Sequence, residues 1–302
     1  MRALLLFLAR REGFKNFILR FRIFRETAFR FVAGETLRDA LRAVHEANRL
    51  GMRASLDLLG ENVESRDGAR HATQEVLEML DAIHTEKADC NVSVKLTQLG
   101  LDLDNEFCYQ NLCQIISHAA RLGNFIRVDM EGSSYTQSTL DMVLRARKEF
   151  ENVGAVIQAY LYRSEQDVGR LLEARTRIRL CKGAYLEPES VAFKEKRDTD
   201  ANFVKLMKML LDSGIYHGIA THDLAMISAT KRYARERKIA QDQFEFQMLY
   251  GVRREVQQKL SRQGYSMRIY IPYGRWWYPY FMRRLAERPA NLLFILKTLF
   301  RG

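Results

Sequence analysis

The chain has 302 residues, 47% of them hydrophobic and 28% charged, with 17 glycines and only 4 prolines. That length suits one large α/β barrel, and the balance excludes collagen-like, disulfide-scaffold and disordered chains. The formal charge of +11 sits at the two ends: residues 1–31 carry eight Arg/Lys against Glu12 and Glu26, residues 271–302 carry six against Glu287, and residues 32–270 are neutral overall.

Basic ends suggest an anionic partner: a membrane surface, a nucleic acid or an anionic ligand. No apolar run reaches the roughly 18 residues of a spanning helix. The opening run Ala3–Ala9 is short for a signal peptide and no small-residue cleavage site follows it, so the expected location is cytoplasmic. Cys90, Cys108, Cys113 and Cys181 show no metal-ligand spacing and read as ordinary thiols, with no metal site expected.

Residues 15–31 alternate Arg/Lys with Phe, Ile and Leu at near-helical spacing, so residues 1–35 are expected to form a basic helical arm. Residues 36–50 read as an amphipathic helix with Leu37, Leu41, Val44 and Leu50 along one side and Thr36 as its cap. A rhythm then begins. Short β-rich runs at 52–58, 91–96, 125–130, 153–158, 177–181, 217–220, 243–248 and 266–271 alternate with helical segments at 70–87, 105–122, 137–149, 165–174, 200–213, 223–236, 252–262 and 276–287. Eight strand–helix units favour a (β/α)8 barrel over 36–302 rather than a doubly wound open sheet. In such a barrel chemistry gathers at the C-terminal ends of the strands. Those ends carry Asp57, Lys95, Asp129 with Glu131, Gln158, Lys182, Thr221 with His222, Gln247 and Tyr270, which predicts a polar cup of mixed charge.

No G-x-G-x-x-G, P-loop or G-x-S-x-G is present, which removes the main support for a Rossmann site, a Walker NTPase or an α/β-hydrolase. In RLCKGAYLEP (179–188) the strand holds Arg179 and ends on Lys182, and the small Gly183 and Ala184 would let a flat group approach the backbone before Tyr185. The alternative, a surface turn with idle cations, is disfavoured because a central barrel strand has little room for an idle Arg. Arg283 and Arg284 are adjacent on a predicted helix near Tyr278 and Tyr280, which reads either as an anion clamp or as a solvated basic face. Trp276 and Trp277 read equally as core or as surface. His222 reads as a core histidine or as a group beside a nucleotide. Glu61, after a Gly turn, reads as a lid over the cup or as an ordinary loop charge.

The motifs DLLGE (57–61), SVKLTQLG (93–100), VDMEGS (128–133), QAYLYR (158–163), RLCKGAYLEP (179–188), ATHD (220–223), FEFQMLYG (244–251), RIYIPYG (268–274) and YFMRRLAERPAN (280–291) together resemble the proline dehydrogenase family, in its short, monofunctional bacterial form. The resemblance runs over roughly residues 32–291. It implies a distorted, TIM-like (β/α)8 barrel with extra N-terminal helices and FAD at the C-terminal ends of the strands. It implies oxidation of L-proline to Δ1-pyrroline-5-carboxylate, with hydride passing from C5 to flavin N5 and electrons passing on to a quinone. By the same resemblance Lys95, Arg283 and Arg284 hold the proline carboxylate, and Tyr185, Leu249, Tyr270 and Tyr280 enclose the ring. Tyr270 is further associated with preference for proline over hydroxyproline. Glu61 resembles an acidic gate over the site. Asp129 and Arg179 match the active-site acid and the arginine near the reactive flavin nitrogen. Met130, Gln158, Arg179, Lys182, Gly183, Ala184, Thr221, His222, Gln247, Arg284 and Glu287 match positions along FAD.

The chain ends at Gly302 without an aldehyde dehydrogenase module, so a separate pyrroline-5-carboxylate dehydrogenase is the expected partner. The basic arm reads equally as a peripheral contact with the inner membrane and as a helix packed on the barrel with its charges in water. Two competing readings are another FAD barrel, of the methylenetetrahydrofolate reductase type, and a non-enzymatic nucleic-acid binder. The neutral middle of the chain and the polar strand ends argue against nucleic acid.

Overall fold

Eight short strands wind in sequence order into one parallel, closed barrel, and β8 pairs with β1 to shut it. The computed structural model describes residues 27–60 and 63–287. The strands are β1 (Arg53–Leu58), β2 (Cys90–Val94), β3 (Ile126–Val128), β4 (Val153–Gln158), β5 (Arg177–Cys181), β6 (His217–Ala220), β7 (Phe244–Leu249) and β8 (Ser266–Tyr273). The helices are α1 (Leu37–Arg49), α2 (Arg66–Thr85), α3 (Asn105–Arg121), α4 (Thr136–Arg147), α5 (Ser164–Glu173), α6 (Lys196–Asp212), α7 (Leu224–Glu236), α8 (Arg254–Arg262) and α9 (Trp277–Glu287). Every strand and helix expected from periodicity within these residues is present.

Local chemistry sets the helix starts. Thr36 closes a capping box with Asp39 ahead of α1, and Asp104 accepts from Phe107 N–H at 2.7 Å ahead of α3. α2 begins at Arg66 rather than 70, because the Ser65 hydroxyl accepts from Gly68 N–H. β2 and β3 end earlier than expected. Lys95 and Asp129 step out of the regular ladder as the chain turns into its loops, although Asp129 N–H still reaches Val94 C=O at 2.9 Å.

The expected arm over 1–35 falls largely outside the described residues. Its last part packs on the barrel: Ala28 and Val32 are buried, Phe29 lies 5.7 Å from the Trp277 ring, and Ala33 N–H bonds Pro272 C=O at 2.9 Å. No helix among the described residues is long and apolar enough to cross a membrane. All four cysteines are free, and no cluster of metal-ligating side chains occurs among the described residues.

Alternation along the strands separates two environments. Leu56, Val92, Val128, Ile157, Leu180, Ile219, Phe246 and Ile269 are buried with the helices' apolar faces in one core. The other set projects into the lumen. Arg179 on β5 reaches Ser55 on β1 and Ser93 on β2, across the barrel, at 3.4 and 3.1 Å. The lumen therefore holds Ser55, Asp57, Ser93, Lys95, Arg127, Asp129, Arg179, Glu245, Gln247, Arg268 and Tyr270, where barrels more often stack Val, Ile and Leu.

Gly154 on β4 makes room for one of these groups. A Cβ there would lie 2.4 Å from Arg177 C=O and 2.6 Å from a terminal nitrogen of Arg127. Gly154→Ala is expected to lose about 1–3 kcal/mol, as overpacked cores do. Gly169→Ala on α5, where a methyl meets nothing within 4 Å, is expected to gain up to about 1 kcal/mol from helix propensity. Urea unfolding of the two variants checks the contrast.

His217 gives a pH prediction. Its ring is fully buried, accepts from Ile178 N–H at 3.0 Å and meets Ser213 Oγ at 2.9 Å. Burial, then the nearby Arg127, push its pKa down to about 3. The unfolded chain binds the proton more readily, so this contribution to stability is complete above about pH 6.5 and is lost as pH falls toward 3. The wild-type Tm is expected to fall between pH 7 and 4.5. His217→Gln should flatten that slope in thermal melts, even if it starts from a lower Tm.

Candidate active site

Strands β1, β2, β3, β5 and β8 bring four charged side chains and a tyrosine together toward the C-terminal mouth of the lumen. Lys95 Nζ lies 2.5 Å from Asp57 Oδ1, 3.3 Å from Tyr270 Oη and 3.4 Å from Asp129 Oδ2. Asp129 accepts from Arg179 at 2.6 Å through Oδ1 and from Tyr270 Oη–H at 2.6 Å through Oδ2. The Arg179 guanidinium also stands over the Tyr270 ring, 5.0 Å from its centre. Asp57, Lys95, Asp129 and Arg179 are all buried, so two anions face two cations in a low dielectric, where pairing is required. Burial, and then the charge of Asp129, outweigh Lys95 and raise the Asp57 pKa. Burial and the two carboxylates likewise push the Tyr270 phenol well above its usual range, so it donates as a neutral hydroxyl.

Below this group the polar chain continues down the lumen. Arg179 Nε donates to Gln247 Oε1 at 2.5 Å, and Gln247 Nε2 donates to Glu245 Oε1 at 2.5 Å. Glu245 also accepts from Arg268 at 2.7 Å and from Tyr216 Oη–H at 3.0 Å. Burial opposes charge on Glu245, yet Arg268, Gln247 and Arg127 outweigh it and hold its pKa low. Gly218 on β6 faces Gln247, and a Cβ there would lie 2.4 Å from Nε2. At the N-terminal end Arg127 donates to Arg177 C=O at 2.5 Å and Ala155 C=O at 3.1 Å. Burial, then repulsion from Arg179, lower its pKa to about 9.

The rim carries the remaining expected residues. Met130 is buried and its C=O accepts from Gln158 Nε2 at 3.3 Å. Gln158 Oε1 is buried with no partner among the described residues. His222 Nε2 accepts from Leu249 N–H at 2.9 Å, which places the proton of the neutral ring on Nδ1. Thr221 is buried and its hydroxyl accepts from Asp223 N–H at 3.1 Å. Tyr185, Ala184 and Leu249 are half-buried, and Tyr280 on α9 is buried. Arg283, Arg284 and Glu287 belong to α9, but their side chains lie outside the described set, as does Glu61. The two tryptophans divide: Trp277 is buried and donates to Glu35 at 3.0 Å, whereas Trp276 is 62% exposed.

Two sites depart from the physical reasons expected for them. Gly183 has φ +117°, and a Cβ would lie 2.2 Å from the Tyr160 ring. On the side a Cβ would take, the neighbour is a ring of this chain. Lys182 bonds both Asp200 and Asp223, the latter at 2.7 Å, and its hydrogen bond is the main reason the Asp223 pKa drops to about 2. The ammonium ties the start of α6 to the cap of α7.

The structure thus unites Lys95, Asp129, Arg179, Tyr270 and Gln247, with Gln247 beneath Arg179. Asp57 was visible in the sequence as a polar strand end opening DLLGE; Ser93, Glu245 and Arg268 lay inside motifs without being assigned a role, and Ser55 lay outside them. Their signal was the i, i+2 spacing of Ser55 with Asp57, Glu245 with Gln247, and Arg268 with Tyr270. Removing one member of a buried charge pair strands the other. Arg179→Met is expected to cost about 3–5 kcal/mol, and Arg179→Met with Asp129→Asn to cost less than Arg179→Met alone, in chemical denaturation at pH 7.

Comparison with known proteins bears on this cup. The family model described as "Proline dehydrogenase" matches residues 40–297. Proline dehydrogenase 1 of Bacillus subtilis (strain 168) is 44% identical over 274 residues, covering 91% of this chain and 91% of the relative. Proline dehydrogenase of Deinococcus radiodurans is 41% identical over 280 residues, covering 91% and 90%. A crystal structure of proline utilization A (PutA) from Bdellovibrio bacteriovorus, inactivated by N-propargylglycine, superposes with a TM-score of 0.82 at 27% identity. That match covers 86% of this chain, and the chain spans only 32% of the PutA protein's length.

Proposed function

The chain belongs to the proline dehydrogenase family, and on that premise we propose that its cup oxidises L-proline to Δ1-pyrroline-5-carboxylate with FAD at the C-terminal ends of the strands. The observation that carries the reading is the buried Lys95–Asp129–Arg179–Tyr270 group at the mouth of a polar lumen. The donor set suits the cofactor. Gln158 Oε1 is a buried acceptor without a partner among the described residues, which fits a ring N–H of the flavin. Gln158, Met130, Arg179, Gly183, Ala184, Thr221 and His222 would hold FAD, with Arg284 and Glu287 from α9. Gln247 supports that group from below through Arg179, and Lys182 acts at the loop junction it ties together.

Bound there, FAD supplies the hydride acceptor and passes electrons on, in this proposal to a quinone. The chain's own residues do the rest. Proline carries a carboxylate, and Lys95 with Arg283 and Arg284 binds it by charge-assisted hydrogen bonds. That grip fixes the ring by one end and orients C5. Tyr185, Leu249, Tyr270 and Tyr280 enclose the ring and exclude water, and Glu61 closes with Arg283 above it. Arg179, already charged and held by four partners, stabilises negative charge without reorganising. Asp129 holds Arg179 and Tyr270 in place. The ring nitrogen loses its proton before its lone pair can expel the hydride, and solvent at the rim serves for that step.

We further propose a separate pyrroline-5-carboxylate dehydrogenase as the consumer of the product, and a cytoplasmic enzyme whose basic arm over 1–35 meets the membrane surface peripherally. Family membership removes the support for the methylenetetrahydrofolate reductase-like and nucleic-acid-binding readings.

The test is an anaerobic visible spectrum. L-proline should bleach the flavin band, and a band unmoved by proline would overturn the proposal. Lys95→Met should retain flavin and lose about 10- to 150-fold in kcat/KM, the equivalent of one charged hydrogen bond of roughly 1.5–3 kcal/mol. Steady-state kinetics reads this directly.

A further inference from the structure

We infer that Asp57 is the positioning residue of the substrate-carboxylate site: its carboxylate holds Lys95 extended and charged at the mouth of the lumen. The inference rests on the proline-oxidising reading above and adds a residue to it. β1 lies between β2 and β8, so Asp57 stands between the strands that lead to Lys95 and carry Tyr270. Its Oδ1 is 2.5 Å from Lys95 Nζ. The other carboxylate near Lys95 is differently committed, since both oxygens of Asp129 already accept at 2.6 Å, from Arg179 and from Tyr270. Asp129 stands 3.4 Å from the ammonium. Asp57 is therefore the closer of these two carboxylates.

Both Asp57 and Lys95 are buried and bonded to each other, so in this inference Asp57 acts on substrate through the ammonium it holds. A free lysine side chain loses rotamer freedom on being fixed. Asp57 fixes it in advance, so binding proline does not have to. The charge balance depends on it as well. Asp57 from β1, Asp129 beyond β3 and Tyr270 from β8 lie within bonding reach of Lys95, and Arg179 from β5 bonds Asp129 in turn. Without Asp57, Asp129 would be the carboxylate left among the described residues to face both Lys95 and Arg179, and Lys95 would release its proton more easily.

The test uses the flavin-loaded full chain and the variants Asp57→Asn, Lys95→Met and both together. Binding of cyclopentanecarboxylate, a ring acid that cannot be oxidised at nitrogen, is measured by calorimetry alongside proline kinetics. Asp57→Asn should weaken the acid and raise KM for proline by about ten- to a hundredfold, with a smaller change in kcat. The alkaline limb of kcat/KM should move to lower pH. In the Lys95→Met background Asp57→Asn should change neither constant further, because the two act as one unit. Equal, additive losses in both backgrounds, or an alkaline limb that stays in place, would overturn the inference. Should Asp57→Asn alone unfold the chain, the double variant is expected to restore the fold, since no unpaired charge remains; failure to restore it counts against the pairing. Wild-type protein that oxidises proline while Asp57→Asn matches it defeats only this inference. Wild-type protein that neither binds the acid nor oxidises proline defeats the functional reading as well.

Discussion

The lumen of this barrel is organised by one guanidinium. Arg179 crosses from β5 to touch β1, β2 and β7 and the residue beyond β3. A buried arginine without partners is untenable in a low dielectric, so every strand it reaches must present an oxygen. That requirement explains why Ser55, Ser93, Asp129 and Gln247 occupy positions where a barrel more often packs Val, Ile or Leu. It also propagates. Gln247, having given Oε1 to Arg179, needs Glu245 for its amide, and Glu245 in turn needs Arg268.

This arrangement separates two jobs between the two faces of the same strands. The outward faces, with Leu56, Val128, Leu180 and Ile269 in the main core, supply the hydrophobic stability that folding requires. The inward faces contribute less net stability, because each ion pair is offset by the cost of taking its charges out of water. What they provide is geometry: cations held in place with their orientation already fixed.

The fold was legible because its signals are local. Hydrophobic runs recur at βα spacing, and polar groups cap the helices, as Thr36 and Asp104 do. Strand ends were less legible, since Lys95 and Asp129 leave the ladder through loop geometry that no propensity records. The chemistry of the mouth was half legible. Lys95, Asp129, Arg179 and Tyr270 stand in recognisable motifs, and the structure brings them within hydrogen-bond reach of one another. Asp57 was obscured because the same DLLGE motif drew attention to Glu61. Glu245 and Arg268 were obscured because a charge within a strand reads as solvent-facing until the barrel closes around it. Gly183 and Lys182 show a different limit. Their residue types suggested a ligand, and the contacts the structure adds are the Tyr160 ring and the Asp200–Asp223 pair. Those contacts join segments distant in sequence, beyond any local pattern.

Arg127, threaded over Gly154 and bonded to two carbonyls, stoppers the far end of the barrel together with Glu245 and Arg268, all of them buried. Among the described residues the floor of the cup is thus built of paired ions and carbonyls rather than hydrocarbon. An apolar plug of equal volume would close the same end, but it would cut the chain of bonds that climbs from Arg268 through Glu245 and Gln247 to Arg179.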